Sequence, residues 1–228
     1  MKKFFLSLIC VLTAGSMVMA QDNTPFKLSR KEKKQGFEVL FDGTNLNNWQ
    51  GNKEAYIIED GCIKMDPKKG GGNLYTNKEY SNFIYRFEFQ LTPGANNGIG
   101  IRTPLNTNAA YDGMEIQVLD CEHESYKDIA IWQHHGSVYG VIPSNEKHVK
   151  AKKPAGEWNV EEIYAEGDHI RVTLNGVVIV DGNIREAAKN GTIDKQEHVG
   201  LFNKKGHICF CGHGCEVKYR NIRVKELK

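Results

Sequence analysis

The chain has 228 residues, and its 30 basic and 28 acidic side chains give a net charge of +2. A charge so close to balance gives no electrostatic reason to predict binding to nucleic acid or to an anionic membrane surface. A chain of this length can build an adequate hydrophobic core without depending on disulfides.

The first 20 residues have the pattern of a secretory signal peptide. Lys2 and Lys3 precede an apolar run, and Val18 and Ala20 are the small residues expected before a cleavage site. This run is too short for a membrane span, and no later apolar run is long enough for one. We therefore expect a secreted or periplasmic protein whose mature part, residues 21–228, is a single domain.

The mature part begins with signals for a short helix and a hairpin. Ser29 and Glu32 have the spacing of a capping box, and Gly36 is placed to end the helix that they begin. Further along, Asp60-Gly61 predicts a tight turn between two short strands. Both signals are local and need no knowledge of the rest of the fold.

The most regular alternation lies in the segment 83–91. Its aromatic residues and a leucine fall on one face, and charged or polar residues fall on the other. This pattern predicts an antiparallel strand with one face in the core, and so regular an aromatic row is more typical of a core than of a sugar-stacking surface.

The second half of the chain continues with short strands. Asn175-Gly176 predicts another hairpin, and further strands are predicted over 137–142, 198–202 and 216–225. In all, about a dozen short strands with closely spaced turns predict an all-β fold, namely a two-sheet antiparallel jelly-roll sandwich with one or two short peripheral helices.

Five cysteines remain after residue 20, and three of them, Cys209, Cys211 and Cys215, lie close together. An odd number does not indicate a dense disulfide framework. Cys209 and Cys211 would share one face of a strand. The sequence leaves open a disulfide, free thiols or a structural zinc site at this cluster.

A polar face is predicted around two neighbouring strands in the segment 96–120. Alternation places Glu115 and Gln117 on the side opposite the apolar residues of their strand. On the preceding strand, Gly98, Gly100 and Arg102 would share a face, and the glycines would leave a floor that a ligand can approach. Such a face could hold a polyhydroxylated ligand or a metal ion. The alternative is a solvated face with a surface ion pair.

Two adjacent histidines, His134 and His135, precede Gly136 on a predicted loop. Loops on a rigid sheet often carry functional groups, and the glycine would leave His135 room to turn inward. Glu115 and Asp120 form a poor pair of glycosidase carboxylates, because their offset on one strand places them on opposite faces. Glu115 with a histidine is the better combination, as base, acid or metal ligand.

Six segments together resemble the 3-keto-disaccharide hydrolase domain family, exported proteins with a concanavalin A-like jelly roll. In chain order they are FEVLFDGTNLNNW, NNGIGIRTP, YDGMEIQVLD, HGSVYGVIP, GEWNVEEIYAEGDHIRVTLNG and HGCEVKYRNIRVKEL. The resemblance covers nearly the whole mature chain. The chain departs from the family before its last strand, where KKGHICFCGHG keeps His213-Gly214 but adds cysteines.

The resemblance implies action on glycosides whose C3 hydroxyl has been oxidised to a ketone, by hydrolysis or by removal of the C2 proton and elimination of the C1 group. It also implies a carbohydrate substrate and a divalent metal cation as cofactor. The same jelly roll serves lectins, so a non-catalytic carbohydrate-binding module is the alternative.

The resemblance and the residue pattern together give one set of candidate site residues. We expect Glu115 and His135 to be catalytic and to hold the metal. The expected substrate-binding residues are Arg102, Gln117, His134, Tyr139 and His213.

Overall fold

A computed structural model describes residues 24–228, so the expected signal peptide lies outside the described residues. In this part of the chain, thirteen strands form two antiparallel sheets. The strands are β1 (Glu38–Phe41), β2 (Trp49–Gly51), β3 (Tyr56–Glu59), β4 (Cys62–Met65), β5 (Gly72–Tyr80), β6 (Phe83–Leu91), β7 (Asn96–Thr103), β8 (Met114–Leu119), β9 (Trp158–Glu166), β10 (His169–Leu174), β11 (Val177–Asn183), β12 (Gly206–Gly212) and β13 (Val217–Glu226).

One sheet has eight strands in the order β11-β10-β9-β6-β13-β4-β3, with β1 beside β13, and the other has the order β2-β5-β12-β7-β8. The final strand, predicted over 216–225, thus pairs with the first one. Apolar side chains from both sheets form one buried cluster between them. The prediction of an all-β, two-sheet jelly-roll sandwich is confirmed.

Four short α-helices accompany the sheets in the described residues, more than the one or two predicted. They are α1 (Arg30–Gln35), α2 (Ala109–Asp112), α3 (Lys147–Ala151) and α4 (Ile184–Ala187). Between residues 24 and 228, no helix is long and apolar enough to cross a membrane.

The local turn and cap signals are confirmed. The Ser29 hydroxyl accepts a hydrogen bond from the backbone N–H of Glu32. In turn, the Glu32 carboxylate accepts a hydrogen bond from the backbone N–H of Ser29. At the first hairpin turn, Asp60 and Gly61 have φ values of 52° and 70°. Both lie in the left-handed region that this kind of turn requires and that aspartate and glycine tolerate well.

Strand β6 is the clearest success of the alternation rule. Its residues alternate between buried and half-buried along all nine positions. Phe87 is fully buried and contacts Phe89 and Tyr219 through their rings. The half-buried face carries Arg86, whose Nε lies 2.5 Å from the Glu162 carboxylate on the neighbouring strand.

Two predicted strands are wrong. Residues 198–202 form turns. Residues 137–142 form a loop that is hydrogen-bonded to the edge strand β8. The backbone N–H of Gly136 donates to the carbonyl of Gln117 at 2.7 Å, and that of Tyr139 donates to the carbonyl of Glu115 at 2.9 Å. This loop continues the sheet for only a few residues before it turns away.

The described cysteines are all free thiols. Cys209 and Cys211 share a strand face as predicted, with their sulfur atoms 4.0 Å apart. Burial, the neighbouring Cys209 sulfur and the Glu115 charge all raise the pKa of the Cys211 thiol, and the contact with Cys209 is the largest of these effects.

Candidate active site

Two of the predicted site residues, Glu115 and Gln117, lie on β8, which is an edge strand of the five-stranded sheet. Ile116 and Val118 point into the core between the sheets. Glu115 and Gln117 point to the opposite face, as predicted, yet only 5% and 4% of their surfaces are exposed. A carboxylate is seldom buried so far without a close partner, and this directs attention to what covers it.

Gly98 on β7 makes room for the Glu115 side chain. Gly98 lies opposite Gln117, and Gly100 lies opposite Glu115. A Cβ atom at position 98 would come within 1.8 Å of the Glu115 Oε1 atom. The predicted glycine floor is therefore present, and the carboxylate of Glu115 lies across it.

A cavity of about 170 Å³ opens beside these side chains. Four residues predicted to bind or act on a substrate line it together, namely Glu115, Gln117, Tyr139 and His213. Four further polar residues also line it and were missed by the sequence analysis, namely Asn96, Asn108, Tyr111 and Gln133.

Glu115 and His213 form the central pair of the cavity. The imidazole Nε2 of His213 lies 3.5 Å from Oε1 of Glu115. The side chain of His213 is about half exposed, with 47% of its surface accessible, whereas that of Glu115 is almost completely covered. The hydrogen bond to Glu115 raises the pKa of His213, so the two groups favour a carboxylate beside an imidazolium.

Two tyrosines supply hydroxyl groups to the same cavity. Burial raises the pKa of both Tyr111 and Tyr139 above the ordinary value of 10.0, so both remain protonated at neutral pH. The Gln133 amide donates to the Tyr139 hydroxyl at 3.4 Å. The Trp132 ring packs edge-on against Tyr139, with ring centroids 4.9 Å apart.

Tyr111 is positioned by a buried histidine outside the cavity. The His198 ring lies 4.9 Å from the ring of Tyr111, and its Nε2 atom lies 3.0 Å from the Asp194 carboxylate. Its other ring nitrogen contacts the carbonyl of Ala110 at 2.9 Å. The segment 198–202, mistaken for a strand, therefore holds the short helix α2 and its tyrosine in place.

An amide pair completes the wall next to β8. The Gln117 Nε2 atom donates to Asn96 Oδ1 at 3.0 Å, which leaves the Gln117 carbonyl oxygen as an acceptor. Together the cavity offers a carboxylate, an imidazole, two phenols and several amides. These groups can bind hydroxyls, exchange a proton and donate hydrogen bonds to a developing negative charge.

The predicted placement of His135 is wrong. This histidine is fully buried between the sheets, where its ring stacks on Phe89 and its Nε2 atom lies 3.0 Å from Glu161. Its Nδ1 atom accepts a hydrogen bond from the backbone N–H of Leu119 at 3.2 Å. The loop turns this side chain inward as expected, but toward the core, so Glu115 and His135 do not meet and cannot hold a metal together.

The predicted placement of Arg102 beside Gly98 and Gly100 is also wrong. Its φ of 50° and a register irregularity between β7 and β12 take it out of the row that Gly98 and Gly100 occupy. Its buried guanidinium donates to the carbonyls of Ser81 and Gly167 at 2.8 and 2.7 Å for Nε and Nη1. Arg102 therefore ties loops together at the end of the sheet and does not line the cavity.

His134 does not line the cavity either. Its ring lies 5.2 Å from that of His148. Backbone hydrogen bonds from Gly136 and Tyr139 hold this loop against β8. In that arrangement Tyr139 lines the cavity, whereas His134 and His135 do not.

The ligands expected for a divalent cation are not assembled here. Catalytic metal sites commonly use three protein ligands, and the cavity supplies only Glu115 and His213 from the usual acidic, imidazole and thiol groups. Within residues 24–228, the group of three such side chains with ligand atoms inside 4.8 Å of one another is Cys121, Glu122 and His148, none of which lines the cavity. This donor set does not fit a cation held in the cavity by the protein alone.

The fold and the cavity define a β-sandwich protein with a polar site, in which a carboxylate lies beside an imidazole, on the outer face of one sheet. Residues 36–225 match the family model of the 3-keto-alpha-glucoside-1,2-lyase-like domain. The match covers most of the chain, and the chain belongs to this family.

The chain is also similar to other known proteins. The chain is 24% identical to a protein of Bacteroides thetaiotaomicron named 3-keto-disaccharide hydrolase, over 100% of both chains. Two crystal structures from Parabacteroides distasonis, each named a "putative glycosyl hydrolase", have TM-scores of 0.75 and 0.73. They are 23% and 26% identical and cover 89% and 84% of this chain and 99% of their own.

Proposed function

We propose that the protein is an exported enzyme that cleaves 3-keto-glycosides by removing the C2 proton and eliminating the C1 substituent. The family, the name of the Bacteroides relative and the groups around the cavity support this substrate class. The signal-peptide pattern of residues 1–20 supports export. The intact mass of the exported protein tests that part, because a retained Met1 would contradict it.

The chemistry follows from the ketone. A carbonyl at C3 acidifies the hydrogen at C2, so a base can remove it and leave an enolate whose charge rests on the C3 oxygen. The enolate then forms a double bond between C1 and C2, and the bond from C1 to the leaving oxygen breaks. The leaving alcohol takes up one proton, which balances the proton lost from C2. Addition of water across the double bond would complete a net hydrolysis.

The cavity offers at least one group for each of these tasks. Glu115 is the base for the C2 proton, and protonated His213 is the acid for the leaving oxygen. C1 and C2 are neighbouring atoms, so a base and an acid in contact with each other suit the reaction. Tyr111 and Tyr139 are the donors for the enolate oxygen, since both stay protonated. Gln117 binds a sugar hydroxyl.

The single observation that carries the proposal is the contact between the buried Glu115 carboxylate and the His213 imidazole at the cavity wall. A binding site for an intact sugar would not need a covered carboxylate that raises the pKa of an imidazole beside it. A proton-transfer site does need such a pair.

The test is incubation with methyl 3-keto-α-glucoside and with plain methyl α-glucoside in deuterated water. We expect methanol to be released only from the keto sugar. Elimination followed by hydration places deuterium at C2 of the sugar product, whereas direct hydrolysis leaves hydrogen there. A control with the finished product and enzyme corrects for later exchange. Binding of both sugars without methanol release would instead favour the lectin-like alternative.

A further inference from the structure

A second polar cavity, of about 320 Å³, lies on the same outer face of the five-stranded sheet. Its lining residues are Asn52, Gly72, Asn73, Tyr75, Asn106 and Thr107. From its position and lining, we propose that this cavity is the subsite for the leaving group, which is the second sugar when the substrate is a 3-keto-disaccharide. The inference rests on the proposed function and deepens it.

The strand register connects the two cavities. Gln117, Gly98, Cys211 and Asn73 lie directly opposite one another across β8, β7, β12 and β5. Residues paired in this way point to the same face of a sheet. Three strand spacings separate Gln117 from Asn73, or about 14 Å. One cavity therefore lies at each end of a single row of side chains.

The cavities also adjoin at two places along the chain. Asn108 lines the first cavity, and its neighbour Thr107 lines the second. At the end of β12, Gly212 pairs with Gly72 of the second cavity and is followed by His213 of the first. His213 thus stands at the border between them, where the acid for the leaving oxygen is needed.

The two linings differ in a way that matches this division. The first cavity contains the proton-exchanging groups Glu115 and His213. The second offers amides, one hydroxyl, one phenol and the glycine Gly72, and holds no carboxylate, imidazole or ammonium group among its lining residues. Neutral hydrogen-bonding groups beside an aromatic ring suit the hydroxyls of a sugar and give no means of cleaving it.

Asn73 is the best-placed recognition group. Its amide nitrogen lies 3.0 Å from the Tyr75 hydroxyl and 3.4 Å from the carbonyl of Thr107. These contacts fix the amide and leave its carbonyl oxygen to accept a hydrogen bond from a sugar hydroxyl. Asn106, with a φ of 59°, holds the loop in the left-handed region beside it.

The test compares two keto substrates that share the oxidised ring, 3-keto-trehalose and methyl 3-keto-α-glucoside. We expect Asn73→Ala to lower kcat/KM for the disaccharide about tenfold, as loss of one good hydrogen bond does. The change should fall mainly on KM, and the methyl glucoside should change less than about twofold. Asn106→Gly, which keeps the backbone conformation, should act in the same direction.

The matched control is Asn77→Ala, an exposed asparagine on the same strand that does not line the cavity. It should leave both substrates unchanged. Equal losses on both substrates in Asn73→Ala and Asn106→Gly would overturn the subsite, and so would no loss on either. If the subsite is overturned in this way but the parent enzyme still cleaves methyl 3-keto-α-glucoside, the proposed function stands. A parent that cleaves neither substrate overturns both proposals.

Discussion

Strands β6 and β8 both alternate apolar and polar side chains, yet the carboxylates on their polar faces have different partners. On β6, Glu88 is paired twice, with Arg220 Nε at 2.8 Å and Asn221 Nδ2 at 2.7 Å. On β8, Glu115 is more deeply buried, and within residues 24–228 its carboxylate has a single side-chain polar partner, the His213 imidazole at 3.5 Å. A charge paired across strands stabilises the sheet, whereas a buried and loosely paired carboxylate is available for chemistry. The comparison shows that the partner of a polar side chain, more than its alternation, distinguishes a site from a surface.

The largest expected effect separates these two carboxylates directly. Glu115→Gln removes the proposed base while keeping its shape, and we expect kcat on a 3-keto-glycoside to fall about 10³-fold with little change in stability. Glu88→Gln is the control and should cost at most about 1 kcal/mol of stability while leaving turnover within about twofold. Steady-state kinetics and thermal unfolding of both variants check this. Equal turnover in the two variants would end the distinction.

The core face of β6 is tested by Phe87→Ala. This side chain is fully buried among Tyr85, Phe89 and Tyr219. Its truncation should lower the free energy of unfolding by about 3–5 kcal/mol. Denaturant unfolding measures the change. A loss below about 1 kcal/mol would mean that the aromatic row does not form the core.

Gly98→Ala tests whether the position of Glu115 matters as much as its presence. A Cβ at residue 98 would meet the Glu115 carboxylate, so the side chain must move. We expect turnover to fall about 10²-fold, since small misplacements of a reacting group have effects of this size. The control is Gly182→Ala, where a Cβ would meet the Ile142 side chain, with its nearest atom, Cδ1, at 3.2 Å. Normal turnover in Gly98→Ala would show that the carboxylate position is not critical.

The pH dependence of the site follows from His213. Glu115 raises the pKa of this imidazole above its ordinary value of 6.5. The favourable charge pair is complete below pH 6.5 and is lost as the pH rises through the raised pKa, so activity that needs the acid should decline over the same range. NMR titration should find a lower His213 pKa in Glu115→Gln than in the parent. An unchanged pKa would show that the two groups do not interact.

The sequence predicts what is set locally. Two hairpin turns, the first helix cap and the facing of Glu115 and Gln117 depend on a few neighbouring residues, and all agree with the structure. His213 was placed through the family resemblance, and the structure brings it to Glu115.

The failures are of another kind. Arg102 leaves the alternation at a register irregularity that only the pairing of β7 with β12 reveals. His135 is drawn into the core by Glu161, a residue 26 positions away. Tyr111 was missed because the position of its short helix depends on contacts with His198. Long-range contacts of this sort leave no periodic signal in the sequence.

The smallest expected effect concerns the metal. Because the cavity combines only two of the usual ligands, we expect dialysis against a chelator to change kcat/KM less than about twofold. Kinetics before and after dialysis, with and without added Mn²⁺, measure this. A large loss that the metal restores would show that a cation completes the site with groups from the substrate or solvent.

The most direct test of the account is a crystal structure of the Glu115→Gln variant with a bound 3-keto-glycoside. The account predicts that C2 of the oxidised ring lies about 3.5 Å from the side chain of residue 115, with the leaving oxygen facing His213 and the C3 oxygen facing Tyr111 or Tyr139. A sugar bound away from this cavity, or one that presents C2 to other residues, would contradict it.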